Sequence, residues 1–254
     1  MFKFLKELHN KHKPIVVDLY TYRPDVYEFS RPNRTSKFLP NWWKDLEKSY
    51  TSANSDRPAS TMRRCNGFLD IMRQGFVLPM WSDLKVNVGQ KGSFNYSWLY
   101  SDTVSNATSH EQEQRGNFLP NESFLHLKLH CPWTAVCKED IEWSLIQPSW
   151  HNESPFDYVT PPGVVNFKFQ HSLEVHTFFE RKENNNSIII PHNRPMLQAI
   201  PHSNRDIHLN YHLVSEKDWI KYSSQAVLLK FSHGYNMVKK IRKENGGCPF
   251  HRSK

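Results

Sequence analysis

Three stretches of strict two-residue alternation limit what this chain can fold into. In Phe124–His130, Leu125, Leu127 and Leu129 point one way, and His126, Lys128 and His130 point the other. From Val165 to Thr177, one face holds Val165, Phe167, Phe169, Leu173 and Val175, opposed by Asn166, Lys168, Gln170, Ser172, Glu174 and His176. His171 falls on the apolar side of that parity, as a core histidine or at a bulge. From Ile207 to Val214, Ile207, Leu209, Tyr211 and Leu213 oppose His208, Asn210 and His212. Successive strand side chains leave opposite faces of a sheet, so these runs predict half-buried antiparallel strands with one face on a core. Shorter candidates lie at 15–22, 76–78, 84–88, 94–100, 141–146, 188–190 and 196–200, and prolines 79, 132, 148, 191, 195 and 201 punctuate them. About ten short strands predict a mainly β fold, an antiparallel β-sandwich or a jelly-roll or barrel. Helices are expected only at the margins: Asn41–Ser49, Asn66–Arg73, one opened by the capping-box pattern Ser215-Glu216-Lys217-Asp218, and Tyr235–Lys243.

Charge divides the chain further. The formal net charge is +8, but residues 1–13 carry four basic and one acidic side chain and residues 230–254 carry seven and one. That leaves 22 basic and 23 acidic side chains for residues 14–229. The expected organisation is a basic leader (1–13), a single β-rich domain (14–225) and a basic helical tail (226–254). A near-neutral body argues against a broad nucleic-acid face, which needs clustered Lys and Arg. Nucleic acid is therefore expected only through the tail, at Lys239, Lys240, Arg242 and Lys243, if that tail does more than solubilise. Nine glycines, and neither G-x-x-x-x-G-K-[ST] nor G-x-G-x-x-G, remove the P-loop and Rossmann readings. No apolar run approaches the roughly 18 residues of a membrane span, and the amino terminus lacks a signal-peptide pattern, so an intracellular protein with no membrane partner is expected. Of the four cysteines, Cys131 and Cys137 are too far apart for a tight zinc pair, and reduced thiols are expected.

Fourteen histidines raise the question of metal. On a strand, positions i and i+4 share a face but lie about 13 Å apart, so neither His126/His130 nor His208/His212 can chelate one ion. Glu174 and His176, at i and i+2, lie about 7 Å apart along the backbone and could converge. Jelly-roll oxygenases use a His-x-Asp/Glu pair with a distant histidine; here the order is reversed and the third ligand would be His126, His208 or His212, so no cofactor is expected unless a divalent metal binds there. A second cluster, His110, Glu113 and Arg115, could supply a general acid/base with an anion-binding partner, or form a solvated loop. Trp42, Trp43 and Trp81 form a binding surface if exposed, and pack a helix on the sheet if not.

Six segments recur in a familiar order: KFLPNWWKDL (37–46), TMRRCNGFLDIMRQGFVLPMWSDL (61–84), EQRGNFLP (113–120), PPGVVNFKF (161–169), FFERK (178–182) and PMLQAIP (195–201). Through them the chain resembles an uncharacterised protein family of large tailed bacteriophages, particularly those infecting marine cyanobacteria. More distantly it is similar to bacterial proteins carrying a domain of unknown function. The resemblance spans about residues 37–222 and implies a source without an activity. The leading expectation is a non-enzymatic accessory or structural phage protein that binds a phage or host protein, in the infected host's cytoplasm or on the virion. The alternative is a metal-dependent jelly-roll enzyme using Glu174/His176, and a minor one is nucleic-acid binding through the tail.

Overall fold

The alternating runs become the strands of a computed structural model, which describes residues 13–54, 57–89, 93–99, 107–116, 118–120, 122–151, 158–181, 186–223 and 240. In chain order the first strands are β1 (Ile15–Thr21), β2 (Asn33–Arg34), β3 (Ser49–Thr51), β4 (Pro58–Ser60), β5 (Phe76–Pro79) and β6 (Asp83–Val88). Next come β7 (Phe94–Leu99), β8 (Ala107–Ser109), β9 (Phe124–Cys137), β10 (Trp143–Ile146) and β11 (Tyr158–Val159). The last are β12 (Gly163–Val165), β13 (Ser172–Glu180), β14 (Asn186–Ile190), β15 (Pro195–Pro201) and β16 (Ile207–Leu213). Short α-helices lie at α1 (Pro24–Phe29), α2 (Asn41–Asp45), α3 (Asn66–Ile71) and α4 (Glu216–Ser223). Ser215 caps α4 as expected, accepting from the Asp218 amide at 3.2 Å, whereas α1 carries no signal that the sequence reading used. The tail helix expected at Tyr235–Lys243 lies outside the described residues except for Lys240, which is exposed.

One sheet runs β11-β13-β9-β1-β16, with β8 also on β9, and a second runs β12-β10-β15-β5-β2. A third, β14-β6-β7, extends the same core, and β3-β4 is a separate hairpin. Inward side chains of the three larger sheets, among them Leu19, Leu127, Val175, Leu78, Leu197, Val86 and Ile190, form one cluster. The fold is a mainly β sandwich of open sheets, and among the described residues no sheet closes into a barrel.

Three local readings change. The run 165–177 is two strands, not one: Asn166, fully buried, accepts from the Lys168 amide at 3.1 Å and folds 166–171 into a turn between the two main sheets. Parity carries Phe167 and Phe169 inward on either reading, so alternation alone could not reveal the turn. Pro132 sits inside β9 instead of ending it. The pairing with β13 passes from Thr134/Ser172 to His130/Glu174, so Cys131, Pro132 and Trp133 bulge opposite Leu173 alone. A residue without an N–H is tolerated at such a bulge. Finally, β1 and β16 pair in parallel. Alternation does not encode direction. Same-face contacts fix the register here, with Asn210 Nδ2 donating to Asp18 Oδ1 at 3.0 Å and His212 stacked on Tyr20.

Phe167 joins turn and sheets, with ring centroids 5.3 Å from Trp143 and 6.1 Å from Phe76. Phe167→Ala should lower stability by about 3–5 kcal/mol. Val164→Ala, on the exposed face of β12, should change it by less than about 0.5 kcal/mol. Urea denaturation of both variants checks this ranking.

Candidate functional site

Two sequence-predicted clusters meet on the outer face of the first sheet. His126 (β9) lies opposite Phe178 (β13) and diagonal to His176, and β8 delivers His110, whose amide donates to the His126 carbonyl at 3.2 Å. The His126 ring is sandwiched: His110 stacks on one face at 4.6 Å and Phe178 on the other at 4.3 Å. His126 Nε2 lies 3.0 Å from His176 Nδ1. Gln114, on the 3-10 turn Gln112–Gln114, accepts from His110 Nδ1. His126 Nδ1 is buried without a partner. An unpaired lone pair costs less than an unpaired N–H, so the proton is placed on Nε2, donating to His176. Arg115 donates to the Phe118 and Leu119 carbonyls, with its guanidinium 5.4 Å from the Phe178 centroid. Glu113 is exposed and stands apart.

Burial is the main cause that pulls His126 down to about 3, with repulsion from His176, His110 and Arg115 adding to it. His176 is pulled down to about 4, again by burial first, then by His110 and Lys128. Both imidazoles are therefore neutral near pH 7. Neutral imidazole is the form that binds metals, but the donors do not converge. Glu174 turns to His130, with Oε2 2.9 Å from Nδ1, and His130 Nε2 faces Thr108 Oγ1 at 3.2 Å. That carboxylate oxygen has no aligned hydrogen bond, so the contact with His130 is an ion-pair distance only. His208 and His212 lie on β16, beyond β1, with His212 held on Asp18 at 2.9 Å. Among the described residues no group of three His, Cys, Asp or Glu side chains could hold a metal ion. The expected ligand set of Glu174, His176 and a third histidine is thus not assembled. The stacked rings instead glue the 107–116 segment onto the sheet.

The tryptophans separate. Trp81 is buried against Trp98, and Trp43 is 4% exposed, whereas Trp42 is 43% exposed. Of the three, only Trp42 can offer a surface, because Trp43 turns inward to Phe68 while Trp42 anchors its indole N–H on the Trp150 carbonyl at 2.8 Å.

Trp43 opens a site the sequence reading missed. Between β2 and β5 the chain leaves the sandwich as a lobe, described over residues 36–54 and 57–73, carrying α2, the β3-β4 hairpin and α3. Its ends are pinned together. The Thr35 amide donates to the Gly75 carbonyl at 3.2 Å, and Gln198 Nε2 donates to the Ile71 and Gln74 carbonyls. Gly75, at φ +69°, approaches so closely that a Cβ would lie 1.8 Å from the Ala199 oxygen. A groove of about 740 Å³ opens in the lobe, with Leu39, Trp43, Leu69 and Met72 as its floor. Lys48, Arg63, Arg64 and Arg73 rim it, and no carboxylate among the described residues lines it. Arg63 is held by the Lys44 and Leu46 carbonyls, at 2.9 and 2.7 Å, and none of the four cations forms an ion pair among the described residues. The missed signal was local charge: residues 31–75 hold nine basic and four acidic side chains.

Compared with known proteins, the chain matches no family model, no curated protein and no solved structure. Among the described residues no helix is long and apolar enough to cross a membrane.

The histidine stack has a pH consequence. Both folded-state values lie below the ordinary 6.5 of imidazole, so between pH 6.5 and about 3 to 4 the unfolded chain binds more protons than the folded one. Stability from these groups is complete above pH 6.5 and falls as pH drops through that window. His126→Phe keeps a ring between His110 and Phe178, so its urea midpoint should fall less steeply from pH 7 to 4.5 than that of the parent chain. Equal slopes would contradict the buried-neutral assignment.

Proposed function

We propose that this chain is a non-enzymatic accessory protein of the kind large tailed phages encode, acting in the infected cell by binding a protein partner through the lobe at residues 36–73. The groove carries the proposal: an apolar floor ringed by four cations, on a surface that also exposes Trp42, Tyr50 and Met62. Aromatic residues, Met and Arg are the types enriched where protein interfaces concentrate their binding energy. The lobe adds little to the sandwich interior, since Trp43 and Met72 are buried but stand outside the main core cluster. The phage resemblance supports the same region. Two of its segments, 37–46 and 61–84, supply Leu39, Trp43, Arg63, Arg64, Leu69, Met72 and Arg73.

Photo-crosslinking in infected cells tests the proposal. A crosslinking side chain at Tyr50 or Met62 should capture a discrete protein, and one at Val164, on the remote β12, should not. Arg63→Glu/Arg64→Glu should cut the capture at Tyr50 by about tenfold or more. Capture only from Val164, or capture unchanged in the double variant, would move the contact surface off the lobe.

A further inference from the structure

We infer that the groove's occupant is an acidic peptide segment carrying a bulky aliphatic or aromatic anchor, an inference that rests on the lobe being the contact surface. Lys48, Arg63, Arg64 and Arg73 face one concavity and, among the described residues, no carboxylate lines it and none of the four forms an ion pair. Like charges around one hollow repel one another, and an anionic ligand relieves that repulsion while gaining charge-assisted hydrogen bonds to guanidinium forks. Charge therefore selects an acidic occupant over a neutral or basic one.

The floor adds the second requirement. Leu39 and Leu69 are half-buried, and Trp43 and Met72 lie beneath them. A purely anionic chain would leave this apolar surface wet, whereas one Leu or Phe side chain seated there removes it from water. Met72 lets the floor adapt to the anchor's shape. The volume of about 740 Å³ accommodates an anchor with flanking backbone.

Nucleic acid fits less well. It needs a cationic track with exposed aromatic faces for stacking. Here the cations ring a single hollow instead of forming a track, and the aromatic side chain that lines it, Trp43, is buried in the floor.

Fluorescence anisotropy on the full chain decides between them, using four labelled probes. They are an Asp/Glu peptide around a Leu-Phe anchor, its Asn/Gln counterpart, the acidic peptide with Ala in place of the anchor, and an oligothymidylate of equal charge. The anchored acidic peptide should bind at micromolar concentration, weaken with salt, and bind about tenfold or more tighter than either control peptide. Arg64→Gln/Arg73→Gln, which removes charge without reversing it, should lose about tenfold in affinity at an unchanged melting temperature. Equal binding of the Asn/Gln peptide would overturn the acidic class, and tighter binding of oligothymidylate would overturn the peptide. If Tyr50 crosslinks a partner but no acidic peptide binds, this inference fails and the docking lobe stands. If Tyr50 crosslinks nothing, the docking lobe itself has failed.

Discussion

Strand β9 is the member on which the sandwich depends, and its bulge sets the terms. Its first half pairs with β13 on one edge and β8 on the other, and its second half pairs with β1. At the junction, three residues of β9 stand opposite one of β13. The excess is two, so the alternation along β9 stays in step with that of β13 on both sides of the bulge. The bulge also buries Trp133 fully, and its indole N–H donates to the Ser30 carbonyl at 3.0 Å, tying the end of α1 to the sheet. Pro132, which looks like a strand terminator, is what makes this junction inexpensive, since the bulge has no ladder bond for it to forfeit.

What was legible in the sequence follows from how local each signal was. His126, expected on a solvated strand face, is instead buried beneath His110, but the leucines at 125, 127 and 129 were placed correctly because alternation depends only on neighbours. So was the capping of α4 by Ser215. The break at 166–171 was hidden because Phe167 and Phe169 are buried in a turn at positions a strand would also bury. The meeting of His110 with His126 and His176 was hidden for another reason, since it depends on β8 pairing with β9 across a gap of some twenty residues. Strand spacing rightly kept His126 and His130 apart, but nothing local foretold that Glu174 would face His130 and leave His176 to His126.

Charge was misleading for a related reason. The near-neutral total for residues 14–229 is a sum over two unlike parts. Residues 31–75 hold nine basic and four acidic side chains, and the remainder holds thirteen and nineteen. A total close to zero therefore describes neither part, and the case it made against a charged face in the body applies only outside the lobe. The basic character assigned to the chain ends has a counterpart inside the domain, built from side chains as far apart in sequence as Lys48 and Arg73.

Such a concentration of cations, unpaired among the described residues, is tolerable because of where the lobe is fastened. Repulsion among four charges would strain a core element, but the lobe is held at its base by uncharged contacts. Thr35 Oγ1 donates to the Gln74 carbonyl at 2.7 Å, and fully buried Gln198 reaches up from β15 to the end of α3. The Gly75 position admits no side chain against Ala199, which brings the returning chain down onto the sheet beside Thr35. These contacts lie on the sheet side of the groove, so the charges on its rim can vary without loosening them. The sandwich therefore bears the stability, which leaves the rim free for the docking proposed above: one side chain set in a hydrophobic floor, flanked by carboxylates that pair with the rim cations.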